Sequence, residues 1–166
     1  MYAARETAAR PPGIPDLSKT IVIVSFAVSP LIVIDTNVVL DWLLFDDPRV
    51  ALVSGAVTSG RARWIASTSM RDELDHVLRR GIPSRQGHPT DAVVAAFDRW
   101  STIVEAATGA FTPSLRCSDV DDQKFIDLAI QQRASVLVSR DRAVLRLARA
   151  AAPIGLRIVI PERWND

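Results

Sequence analysis

The chain has almost none of the residues from which soft metal cages and disulfides are built: one cysteine, Cys117, and two histidines in 166 residues. A disulfide scaffold is therefore excluded, and so is a thiolate or imidazole zinc cage drawn from this chain alone. Any metal here is held by oxygen. Lysine and glutamate are scarce as well. The 20 basic residues are 18 Arg with Lys19 and Lys124, and the 19 acids are 15 Asp and 4 Glu. GC-rich coding accounts for most of that bias, although Asp suits compact ligation of hard cations and Arg suits phosphate. No apolar run reaches the roughly 18–20 residues of a spanning helix. The nearest, from Thr20 to Ile34, is broken by Pro30 and follows Glu6 and Asp16, which argues against a secretory leader. A cytoplasmic protein that enters no membrane is expected. Gly-rich phosphate loops, a G-x-S-x-G elbow, hairpin turn signals and internal repeats are all missing.

What is present is enough apolar material, 48% of residues, to bury one core. Residues 1–30 hold Pro11, Pro12, Gly13 and Pro15 and read as a disordered tail or an extension from an upstream start, with Ile21–Val28 as a possible extra edge strand. A regular pattern begins at Leu31, giving a single domain over 31–166. Short β-branched runs at 31–35, 62–67, 101–106, 135–139 and 156–160 alternate with helical stretches at 36–45, 48–59, 68–79, 90–100, 121–132 and 141–151. Gly60 closes the second helix, and Thr68 or Ser69 caps the third. Segments 81–89 and 108–116 read as loops. Apolar strands alternating with helices predict an α/β fold with a parallel sheet covered on both faces, which binds ligands at the carboxyl ends of its strands.

The acids fall at those ends. Asp35 ends the first strand, Asp141 follows the fourth, Asp122 opens the helix before it, and Glu73 lies one turn into the helix after the second strand. A single acid at a helix start is ordinarily a cap or a dipole partner. Four converging carboxylates are different, because two unit charges 4 Å apart repel by about 4 kcal/mol at an effective dielectric of 20. Such a group needs protons or a cation, and an oxygen-only site suits Mg²⁺ or Mn²⁺. A metal so placed lowers the pKa of a bound water and screens a phosphodiester during in-line displacement.

The stretches LIVIDTNVVL (31–40), ELDHVL from Glu73, DDQKFIDLAIQQRASVLVSRD (121–141) and IVIPERW (158–164) resemble PIN-domain proteins, in particular the VapC-like toxins of toxin–antitoxin pairs. The resemblance implies a PIN-like three-layer α/β/α sandwich with a central, mainly parallel five-stranded sheet. It also implies a metal-dependent ribonuclease whose catalytic, metal-binding acids match Asp35, Glu73, Asp122 and Asp141. An RNA substrate, an antitoxin protein that covers the acidic cleft and a homodimer are implied with it. Related chains often run several acids together where this one has Asp121, Asp122 and Gln123, so the third ligand is Asp121 or Asp122. Helical spacing with Ile126 and Ala129 favours Asp122. Asp119 is an accessory candidate.

Around these acids, Thr36, Asn37 and Ser139 are candidates to orient Asp35 and Asp141, and Arg71, Arg140 and Arg142 to grip phosphate. For each arginine a solvated surface is the plainer alternative. Trp42 and Trp64 offer base stacking, although Trp42 sits on an apolar helix face. His76, one turn after Glu73, suits a surface role. A competing expectation is a PIN-like module without catalysis that binds RNA or protein. A phosphoacceptor receiver domain is disfavoured, because no Asp follows the third strand and no Lys the last.

Overall fold

The computed structural model describes residues 29–81, 90–105 and 115–164. The N-terminal segment through residue 28, including the possible strand Ile21–Val28, lies outside the described residues. So does most of the two expected loops. Five strands form one sheet: β1 (Leu31–Ile34), β2 (Arg63–Ala66), β3 (Ser101–Ile103), β4 (Val136–Val138) and β5 (Arg157–Val159). Their spatial order is β3-β2-β1-β4-β5 and every pairing is parallel. With seven α-helices among the described residues, this is the expected PIN-like α/β/α architecture.

Sequence dictates this order of layers through burial. Strands without polar alternation must be covered on both faces, and β1 is: Ile32, Val33 and Ile34 are all buried, as are Val136, Leu137 and Val138 beside them. Helices α1 (Thr36–Leu43), α3 (Thr68–Arg80) and α4 (Thr90–Trp100) pack against one another, while α5 (Gln123–Gln131) lies on β1 and β4. α5 buries Phe125, Ile126, Leu128 and Ala129, the positions its helical period selects. The edge strand β3 is shorter than expected and exposes Thr102 and Ile103.

Several local expectations are corrected. The stretch 48–59 opens as a 3₁₀ turn at Pro48–Val50 before α2 (Ala51–Thr58), because Pro48 fixes the first turn and Asp47 caps it by accepting from the Arg49 amide. Gly60 does end that helix, at φ 75°, a left-handed conformation that glycine adopts without a Cβ penalty. Ser67, rather than Thr68 or Ser69, holds the N-cap position of α3, and its carbonyl accepts from Met70 and Arg71. The expected helix 141–151 divides into α6 (Arg142–Leu145) and α7 (Ala148–Ala151). The Leu147 amide there bonds three residues back, to Val144, which tightens the coil.

Trp64 is enclosed, with its ring edge-on to Phe97 at 4.7 Å and tilted against Trp42 at 5.8 Å. It is core and is not available to stack bases. Trp64→Ala should destabilise the fold by about 3–5 kcal/mol, the cost of an unfilled aromatic site. Denaturant unfolding of the two proteins measures it, and a loss below about 1 kcal/mol would mean that the site is not packed as described.

Candidate functional site

The chain leaves β1 towards β2 and β3 on one side of the sheet, and β4 and β5 lie on the other, so the direction of winding reverses between β1 and β4. In open α/β sheets the crevice at such a reversal is where ligands bind. Asp35 stands there. Its amide donates to the Val138 carbonyl at 3.0 Å, which extends the β1–β4 ladder by one step, and its side chain then caps α1. Oδ1 accepts from the Asn37 amide at 3.3 Å and Oδ2 from the Ser139 hydroxyl at 2.6 Å. Ser139, at 0% exposure, in turn accepts from the Asp141 amide at 2.9 Å. One hydroxyl thus ties the exit of β1 to the exit of β4.

Asp141 caps α6. Its Oδ1 accepts from the Ala143 amide at 2.5 Å and, more weakly, from Val144 at 3.4 Å. Asp122 occupies the N-cap position of α5 yet takes no capping hydrogen bond, so the ordinary role of an acid at a helix start does not explain it. Glu73 faces α5 from the second turn of α3. Lys124 Nζ lies 2.5 Å from its Oε2, a charge contact whose angles do not suit a hydrogen bond. The same ammonium donates to the Asp121 carbonyl and lies over the Phe125 ring.

The carboxylates influence one another. Burial pushes Asp35 up from its ordinary value against the lowering effect of the Ser139 and Asn37 bonds, with Glu73 and Asp141 adding repulsion. Asp122 is pushed up to about 7, first by burial, then by the negative charges of Asp35, Asp141 and Asp119, while Lys124 offsets part of this. The sequence-selected acids therefore share one electrostatic neighbourhood. Even so, no three His, Cys, Asp or Glu side chains among the described residues are gathered as a ready-made metal cage. The donor set fits a hard divalent ion: oxygen ligands only, a buried carboxylate, mutual repulsion, and an ammonium already drawn into the cluster.

Other candidates lie apart from this centre or act differently than expected. Asn37 contributes through its backbone, and its side chain is exposed; Thr36 is buried in the first turn of α1. Asp119 is exposed and accepts from the Asp121 amide, and Asp121 is exposed too. Arg71 makes a two-pronged ion pair with Asp98 of α4, at 2.6 and 2.7 Å. Arg140 bridges Asp41 and Glu162, at 2.6 and 2.7 Å. Two of the three guanidinium groups expected on phosphate are thus paired with carboxylates of the fold. Arg142 is exposed and makes no ion pair among the described residues. His76 lies at the surface of α3, exposed. The residue that sequence reasoning missed is Lys124. Its signal was rarity, as one of two lysines in a chain whose other 18 cations are arginine.

Two outcomes follow from this geometry. Ser139→Ala strips a buried carboxylate of its shortest bond and should cost about 1–3 kcal/mol in denaturant unfolding; an unchanged midpoint would mean that the bond does not form. The second concerns pH. Asp122 holds its proton in the folded state up to about 7, against an ordinary value of 3.8 in the unfolded chain, so stability declines as pH rises between those values. With chelator present, the melting temperature should fall by several degrees from pH 5 to 8, and Asp122→Asn should flatten that slope. The acids held low by arginine, Asp47, Asp98 and Glu162, act in the opposite direction and below pH 5. An identical slope in the variant would contradict the assignment.

No curated protein matches the chain. The PIN domain family matches residues 31–143, from the first residue of β1 through Asp141 to the first turn of α6. PIN domains are in general nucleases. With more than half of its length matched, over the span that holds all four acids, this chain belongs to the PIN domain family.

Proposed function

We propose that this protein is a metal-dependent endoribonuclease that hydrolyses RNA phosphodiester bonds with metal-activated water, and that it serves as the toxin of a toxin–antitoxin pair. The observation that carries the nuclease reading is the buried Asp35 carboxylate at the sheet's winding reversal, electrostatically coupled to Glu73, Asp122 and Asp141. A divalent ion such as Mg²⁺ or Mn²⁺, once bound, would acidify a water and would screen charge on the phosphate. Asp35, Glu73, Asp122 and Asp141 would hold it.

The chain's own groups do the rest. Ser139 and the Asn37 amide fix the orientation of Asp35, and the Ala143 amide fixes Asp141, so two of the carboxylates are set before anything binds. Asp122, pushed up to about 7 in the metal-free protein by burial and its acidic neighbours, would give up its proton on joining the ion. An open cleft of about 520 Å³ is lined among the described residues by Arg142, Leu145 and Arg146. Its lining is mainly apolar, which suits the face of a base, and the exposed Arg142 suits a backbone phosphate. No helix among the described residues is long and apolar enough to cross a membrane. An antitoxin with a cationic segment would cover the same acids, and a homodimer is part of this proposal.

Purified protein with Mn²⁺ should cleave single-stranded RNA, and Asp35→Asn should slow cleavage by at least about a hundredfold, the usual cost of removing one preorganised electrostatic group. Because this substitution removes a buried charge, the metal-free melting temperature of the variant should hold or rise. No cleavage by wild type under any divalent metal would leave the binding module without catalysis as the better description.

A further inference from the structure

Lys124 is the one lysine among the described residues, and it stands inside the acidic cluster. Its side chain crosses from α5 to Glu73 of α3, and both side chains are largely shielded, at 25% and 30% exposure. Its ammonium also touches the Asp121 carbonyl and the face of Phe125, so backbone and ring hold it in place. Asp35 and Asp141 are held by hydroxyl or amide donors, which a cation can join without displacing anything. Glu73 is held by a cation.

We propose that Lys124 is a resident counter-cation that holds Glu73 while the site lacks a divalent ion and must give it up for the ion to bind. The inference rests on the metal-dependent reading above. Its physical basis is exclusion between like charges: an ammonium in contact with Glu73 Oε2 already neutralises the charge that a divalent ion would need there, and the two cations would repel if both remained. Glu73 thereby passes between two partners. Held by Lys124, it ties α3 to α5, and the ammonium lessens the repulsion that raises Asp122. Released, it completes the oxygen set. A lysine suits such an exchange better than the arginines that fill the rest of the chain, because its charge is compact, its stem flexible and its bonds singly directed.

Calorimetric titration of Mn²⁺ into the full chain tests this without reference to cleavage. Lys124→Met removes the competitor and should tighten Mn²⁺ binding about fivefold, the equivalent of a partly shielded ion pair. Lys124→Arg should bind no more tightly than wild type, since a guanidinium keeps the competing charge. In a Glu73→Gln background the Lys124→Met gain should shrink to less than about twofold, because the two side chains act through each other. Lys124→Gln serves the same comparison if the methionine variant does not unfold cooperatively. Unchanged or weaker binding in Lys124→Met, or an equal gain in the Glu73→Gln background, overturns the role of Lys124 and leaves the nuclease reading standing. Absence of Mn²⁺ binding in wild type and every variant overturns the metal-dependent reading, and this inference with it.

Discussion

A carboxylate buried at the end of the central strand governs the arrangement around it. β1 is covered on both faces and flanked on both edges, so the first residue past its C-terminus cannot reach bulk water, and that residue is Asp35, at 2% exposure. Burying an isolated carboxylate costs several kcal/mol even after relaxation. Three effects act on it here. The start of α1 contributes a dipole worth about 0.3–1 kcal/mol, and hydrogen bonds to a charged group about 1.5–3 kcal/mol each. Against them stand desolvation and the neighbouring negative charges. The balance falls on the unfavourable side, since Asp35 ends above its ordinary value despite its two donors. A fold selected for stability alone would place an apolar residue there. Retaining an acid at this position is the trade of stability for chemistry that functional sites make.

The same groups carry capping and chemistry together. Asp35 and Asp141 each begin a helix just after a strand, so the amides that would otherwise be unsatisfied at the helix start become the fixtures of the site. An N-cap places a carboxylate in one orientation with one oxygen engaged and the other directed elsewhere. For Asp141 that second oxygen has no hydrogen bond among the described residues. The usual question, whether an acid at a helix start is a cap or a ligand, has no exclusive answer at these two positions. Asp122 differs: it stands at a cap position without capping, and its perturbation comes from burial and its neighbours.

Much of the architecture is legible in the sequence because burial on both faces leaves a plain mark. LIVI and VLV contain no polar residue, and only a parallel sheet under helices accommodates them at this spacing. The acids at strand exits were legible for the same reason, since topology alone carries them to one rim. The arginines were not. Arg71 finds Asp98 27 residues away, and Arg140 finds Asp41 99 residues away, and no local pattern announces such partners. Position beside a candidate metal-binding acid makes them candidates for phosphate, and what the chain's local pattern does not announce is that they also fasten α3 to α4 and the β4 exit to α1. The division of 141–151 into two helices was hidden too, because its apolar period continues through the break.

Lys124 shows how a residue escapes a motif-based reading although it stands beside the motif. Its neighbours Asp121, Asp122 and Phe125 are each explained by charge or by helical period, and a lysine at a helix start is ordinarily solvated. Only the meeting of α3 with α5 gives it an acidic partner. The pair also relates two properties of the site. The described acids are electrostatically coupled yet not drawn into a cage, and Glu73, which comes from a helix on the far side of β1 from β4, is the one engaged by a cation. Asp35 and Asp141 are fixed by the strands and caps they terminate. Glu73 sits within a helix, on a longer side chain that no cap restrains. Two of the four acids are thus fixed by the backbone elements they end, while Glu73 depends on a side-chain partner from another helix for its position.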